Sequence, residues 1–509
     1  MTLALPVRRA LRRAAAGTAA VLLLAGCGGA TTAATEADKD TLTLAQPWDI
    51  ATPDPVIDNG LYSVNVFHGL FDQLVAIDTS GALIPRLATD WQANETGSEW
   101  TFTVRDDAVF HDGTPVSTSD VVFSFQAILD NEKSLNRIYT NNIASMSSDE
   151  DSVVFTLKSP DAAFPRMAYY ISIVPEAAYT TLGAEGFAQA PVGSGPYTFE
   201  SWTPGVSVVL AANPDYWGGE PAVPNVIIEP VADSEARLNG LLSGSLDLVT
   251  LSPSQQSAIE SSDYTLKEVV SNQLVYVGFN ASSGPLASPE LRKAISMAID
   301  RKTIIDTVLA GLATPANGSS VAPDVFGHDP DLEPLPFDKD QAVKLVEASG
   351  YDGSTIPLEY ATDANLPMPN ELAQAIAGQL LEIGINVELR GSDNSSFNLA
   401  WNSKSLEGIY LQQFSPSMMD AATTLNYLYG PTGMALFQDD EINALITEAA
   451  ATTDPAQRSE VISRVWQLNE ERTYVANLHY STTLVAMNAA LEFEPRPDGH
   501  LDFPAASFK

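Results

Sequence analysis

Cysteine is nearly absent: Cys27 is the one thiol in 509 residues. No intrachain disulfide can form, and thiol redox pairs and cysteine-built metal sites are excluded. Positive charge is scarce too. Lys and Arg number 26 against 64 Asp and Glu, for a net charge of −38. Nucleic acid is excluded as a partner, because phosphate contact needs clustered cations. A basic face for anionic lipid is missing for the same reason. Self-repulsion at this charge favours a soluble monomer. No apolar run reaches the roughly 18 residues of a membrane span. The five histidines, His68, His111, His328, His479 and His500, show no metal-ligand spacing. Neither a Gly-x-Ser-x-Gly elbow nor a P-loop occurs. Gly193-Ser194-Gly195 runs into Pro196 rather than into a dinucleotide fingerprint. No catalytic residue, metal or cofactor is expected.

What is present begins with a leader. Arg8-Arg9 and Arg12-Arg13 precede an apolar run from Ala14 to Ala25, and Leu24-Ala25-Gly26-Cys27 follows. A positive start, a short apolar stretch and small residues before the cut describe a secretory signal over residues 1–26. A cysteine directly after Ala-Gly fits a bacterial lipobox, so Cys27 is expected to carry lipid and to be the only membrane contact, on the outer face. Residues 27–40 are small and polar after the cysteine and read as anchor and tether. The first arginines also loosely match a twin-arginine export signal.

Strands and helices then interleave. Thr41–Ala45, Trp100–Arg105 and Val153–Lys158 alternate with period two and predict strands. Ser288-Pro289-Glu290 predicts a helix start, with Leu291, Ala294, Ile295, Ala298 and Ile299 as one stripe and Gly311 as the stop. Asn370 predicts a second helix, closed by Gly384 and followed by a strand over Ile385–Leu389. Asp454-Pro455 opens a third, through about Arg472, and Asp439-Asp440-Glu441 reads as the first turn of a solvated helix. There is no repeat of fixed period, and the class is α/β.

Five segments carry finer information. Phe110–Val116 with Ser119–Phe125 reads as a turn at Asp112-Gly113 and a helix capped by Thr118 or Ser119. His111 reads as a hydrogen-bonded structural residue. Gly193–Tyr197 reads as a sharp chain crossing in which glycine supplies an unusual φ and Pro196 fixes it. Asn213–Gly219, Leu242–Leu248 and Leu291–Arg301 complete the set. Together, and in this order, the segments resemble the bacterial extracellular solute-binding proteins of family five, the oligopeptide, dipeptide and nickel binders of ABC importers. The resemblance implies a periplasmic-binding-protein-like type II fold: two lobes, a hinge and an inserted third domain. Residues 41–60, 192–280 and 481–509 would form lobe I, 61–191 the insertion and 281–480 lobe II. It also implies a receptor that passes a peptide-like solute from an interlobe cleft to a permease. Related binders take a nickel chelate or an oligosaccharide instead, and a surface sensor or chaperone-like lipoprotein is the alternative outside transport.

The resemblance also implies where ligand sits, and a departure. Peptide binders of the family place a Trp-x-x-Asp segment in the cleft, its aspartate on the peptide amine. Here Phe414-Ser415-Pro416-Ser417-Met418-Met419-Asp420 aligns with it. Phe414 replaces the tryptophan, Ser417 takes the anchor position, and Asp420 is the acid left to take over the amine. A neutral hydrogen bond from serine is about half as strong as a charge-assisted one. Trp401, Tyr410, Phe414, Tyr427 and Tyr429, faced by Trp48, are candidate cleft aromatics, with core packing as the alternative. Arg390 is a candidate for a ligand carboxylate, with a surface ion pair as the alternative. Met418-Met419 offers an adaptable wall or core filling.

Overall fold

Alternating apolar residues in Thr41–Gln46, buried at every second position at first, start a mixed sheet that runs through the molecule. The structure is a computed structural model and describes residues 39–259, 261–363 and 366–509. The expected leader and the expected lipid anchor Cys27 lie outside the described residues. Across the sheet the strands are Val387–Ser392, Ile356–Ala361, Ile409–Phe414, Tyr264–Phe279, Val475–Asn488, Leu248–Leu251, Thr41–Gln46, Asn225–Pro230, Ser207–Ala212 and Tyr197–Thr203, with Ala313–Pro315 added to Val475–Asn488.

Two long antiparallel strands, Tyr264–Phe279 and Val475–Asn488, belong to both halves of this sheet. Leu274–Phe279 pairs with Ile409–Phe414 on one side, while Leu484–Met487 pairs with Leu248–Leu251 on the other. The register shifts between Val270 and Leu274, where Ser271-Asn272-Gln273 interrupts the ladder. Beyond that break, period two sorts side chains into separate cores. Leu274 and Tyr276 join the larger one. Val275, Val277 and Phe279 join a second, under the helices Pro289–Ala298 and Pro369–Leu381.

Within 61–191, a four-stranded antiparallel sheet, Ala88–Ala93, Glu99–Val104, Ser152–Leu157 and Ile143–Ser148, packs on the helix Thr118–Asp130. Phe102, Phe125, Phe155 and Phe164 meet between them in edge-on and tilted pairs. The cap of that helix is Ser117, not Thr118 or Ser119. Ser117 has extended backbone, and Asp120 at the third helical position returns its bond, completing a capping box. Thr118 instead donates to Asp149 O at 2.6 Å.

The stripe from Ser288 is two helices, not one. Ser288 caps Pro289–Ala298 as expected, but Ile299 is extended and Asp300 caps a new helix, Arg301–Val308. Gly311 follows that second helix at φ +83°. Asp454 caps Pro455–Arg472, and Gly384 follows Pro369–Leu381 at φ +85°. Asp439 caps Asp440–Ala451 but is not solvated: it is buried against Arg472 and Tyr474.

Three of the five segments meet at one junction. His111 Nδ1 accepts from Gly193 N at 3.2 Å, which leaves Nε2 to donate to Gly195 O at 3.0 Å. Burial keeps this imidazole neutral by lowering its pKa. Asp72, fully buried, accepts from Ser194 Oγ, Tyr216 OH and Trp217 Nε1 and pairs with Arg86 Nε at 2.6 Å. Gly193 and Gly195 are not at positive φ. They are glycines because a Cβ would lie 1.8 Å from Leu70 O and 2.6 Å from Gly69 O, so close approach replaces the expected unusual φ.

Candidate functional site

A cavity of about 480 Å³ opens between the 138–167 segment and the 417–458 segment. Its first wall comes from two short helices, Arg137–Thr140 with Ile138 and Tyr139, and Phe164–Met167 with Met167. The loop Ser159-Pro160-Asp161 lies between them in the lining. Its second wall is the loop at Ser417-Met418, the turns around Leu425–Tyr427, and Ile446 and Ala449 of the helix Asp440–Ala451. Leu425–Tyr429 is a π-helical turn, a wider coil that recurs at functional sites.

Aromatic rings back the second wall. Tyr427 lines the cavity and stacks on Phe414, with centroids 5.0 Å apart and planes at 20°. Trp401 stands edge-on to Tyr427 at 5.5 Å, and Tyr410 lies 6.3 Å behind Trp401. Trp401, Tyr410 and Tyr429 are buried and support the wall from within, so they are core residues rather than cavity lining.

The loop at 416–419 is held by groups from elsewhere in the chain. Asn272 Nδ2 donates to Pro416 O at 3.1 Å, Tyr170 OH to Ser417 O, and Arg166 Nη1 to Met418 O at 3.2 Å. Burial pushes the Tyr139 phenol up to about 12, although a hydrogen bond with Ser417 opposes the shift. Ser417 thus sits on the cavity wall as a neutral group.

Asp420 does not take over an amine. It is fully buried, its carboxylate gripped bidentately by Arg458 at 2.8 and 2.6 Å, with Arg166 Nε at 3.5 Å. It also caps the turn Ala421–Thr424 through Ala422 N. Burial opposes its charge, but Arg458 and Arg166 outweigh burial and hold the carboxyl below its usual range. With its oxygens spent, it faces a second cavity of about 500 Å³ beside Trp91, Trp100 and Phe326.

Two further expectations fail at this site. Arg390 lies on the exposed outer strand Val387–Ser392, paired with Glu388 at 2.6 Å and Glu407 at 2.8 Å, so it is a surface ion pair. Trp48 is 65% exposed and lines none of the described cavities, because its bend after the first strand leaves the ring in solvent. What sequence reasoning missed is the first wall: Tyr139, Met167 and above all Asp161. Asp161 precedes a short helix, and Ala163 N donates to its Oδ1 at 3.0 Å. Among 64 acids, only its place beside Pro160 marked it as a turn residue.

This architecture is that of the type II periplasmic binding proteins with several domains. Among solved structures, HbpA2 of Haemophilus parasuis superposes with a TM-score of 0.84 at 24% identity, over 92% of this chain and 100% of that one. NikA of Brucella suis, in complex with Fe(III)-EDTA, superposes at 0.81 with 20% identity, over 92% and 100%. The chain belongs to the bacterial extracellular solute-binding proteins, family 5, whose middle region matches residues 82–435. A probable D,D-dipeptide-binding periplasmic protein of Escherichia coli (strain K12) is 27% identical over 474 residues, covering 88% of this chain and 90% of that protein.

Proposed function

We propose that the chain is the lipid-anchored receptor of an ABC importer, taking up peptide-like solutes outside the cytoplasmic membrane and delivering them to a permease. The cavity beneath Tyr427 carries this reading. Its volume of about 480 Å³ lies inside the usual range for small-ligand sites, about 300–1,000 Å³. It is built on the segment that the family resemblance aligns with the amine-holding segment of peptide binders, and Ser417 stands on its wall. Family membership and a dipeptide-binding relative support the solute class. An anionic metal chelate suits the lining poorly, because Arg458, its one cation, is already spent on Asp420.

In this reading residues 41–60, 192–280 and 481–509 form one lobe, 281–480 the other, and 61–191 the insertion. The two long strands would supply the hinge, since they pair into both halves of the sheet. The cavity is lined by the insertion and the 281–480 lobe, so rigid-body closure over the solute would move these two against each other. Cys27 would hold the protein at the outer face, and the protein works as a monomer.

Deleting the gene and following uptake of labelled short peptides tests the role. Loss of uptake is expected; unchanged uptake with retained binding favours the sensor reading. Cys27→Ala is expected to move the protein from the membrane fraction to the soluble one, with ligand binding unchanged.

A further inference from the structure

The cavity beneath Tyr427 contains one carboxylate, Asp161, and no cation free to match it. Arg458, the single basic residue of the lining, directs Nε to Ala449 O and both Nη groups to Asp420. Asp161 is firmly placed. Its backbone N donates to Gly97 O at 3.0 Å, Trp100 Nε1 donates to its carbonyl at 3.1 Å, and Ala163 N holds Oδ1. The next residue ties the loop to the opposite wall, with Ala162 N donating to Ala450 O at 2.8 Å. Among the described residues no Lys, Arg or His forms an ion pair with Asp161.

A carboxylate withdrawn from water without a counter-ion is costly. Partial burial pushes Asp161 up to about 6; Ala163 N, Arg458 at longer range and a hydrogen bond with Asn142 oppose the rise, while the charge of Asp420 adds to it. An arriving ammonium supplies the absent charge. The same cavity is lined by Ile138, Tyr139, Met167, Met418, Leu425 and Ile446, which suit an apolar group carried by the same ligand.

We infer that Asp161 anchors the ammonium of the bound solute from the wall opposite Ser417, so that the ligand is a peptide or peptide derivative with a free amine next to an apolar side chain. The inference rests on the peptide-receptor reading above. The charged and titratable groups around Asp161 are Arg458, Asp420 and Tyr139. Asp420 stays ionised and Tyr139 neutral across the physiological range, which leaves Asp161 as the group that titrates near 6.

Isothermal titration of the purified exported protein with leucyl-leucine and with N-acetyl-leucyl-leucine tests it, using wild type, Asp161→Asn and Asp161→Glu between pH 5 and 8. Wild type is expected to favour the free amine by at least about tenfold, the scale of one charged hydrogen bond. That preference is expected to weaken as pH falls below about 6, where the carboxyl takes up a proton. Asp161→Asn removes the preference and the pH dependence while binding the acetylated peptide as wild type does, which also proves the fold; Asp161→Glu keeps part of both. A free-amine preference that survives in Asp161→Asn overturns the inference and leaves the receptor reading standing. Failure of wild type to bind either peptide overturns both.

Discussion

Asp420 holds a negative charge where no water reaches it, and two guanidiniums make that possible. Removing one partner of such a group leaves the others buried and unmatched, typically at a cost of about 3–5 kcal/mol. Asp420→Ala is therefore expected to lower stability on that scale, read by urea unfolding. Arg390→Ala is expected to leave the same midpoint unchanged, since its two acids remain in solvent. Asp161 works in the opposite sense. Its native pKa is raised to about 6 from 3.8, so the folded state binds the proton more tightly. Its contribution to stability is fullest below about 4 and declines as pH rises to 6. Asp161→Asn is expected to remove that part of the pH slope in unfolding midpoints measured from pH 4 to 7. These roles were hidden in the sequence. Asp420 and Asp161 are single letters in an acidic chain, and only tertiary neighbours decide which is matched and which is not.

Among the elements, legibility followed locality. Ser288, Asp454 and Gly384 act where the sequence placed them because a cap or a stop depends on a few adjacent residues. The break at Ile299-Asp300 was not legible, because the apolar stripe continues across it while Asp300 caps anew. Nor does period two mark the strand Tyr264–Phe279, because the polar Ser271-Asn272-Gln273 interrupts its apolar pattern while the strand pairs on both sides. The junction at Leu70–Asp72 explains three family segments at once. Gly193→Ala would drive a Cβ to 1.8 Å from a backbone oxygen that cannot yield. Overpacking of this kind costs roughly 1–3 kcal/mol and sometimes more. We expect reduced thermal stability, with Val206→Ala, at an exposed position, as an unaffected control.

For the molecule as a whole, the α/β class and the family could be read from ordered motifs, because those motifs build junctions that the fold requires. The cavity wall could be read only in part. Ser417 and Tyr427 line the cavity and Phe414 backs Tyr427, whereas Trp48 and Arg390 lie apart from it. The contacts that join the two sides span 252 and 247 residues of sequence, and no local pattern announces such a pairing. Native mass spectrometry of the exported protein, as purified and after exposure to a mixed peptide digest, tests whether the protein is a peptide receptor. Bound short peptides with free amino termini, released intact on unfolding, are expected. A protein that takes nothing from the digest, or that instead carries a neutral sugar or a metal chelate, would contradict it.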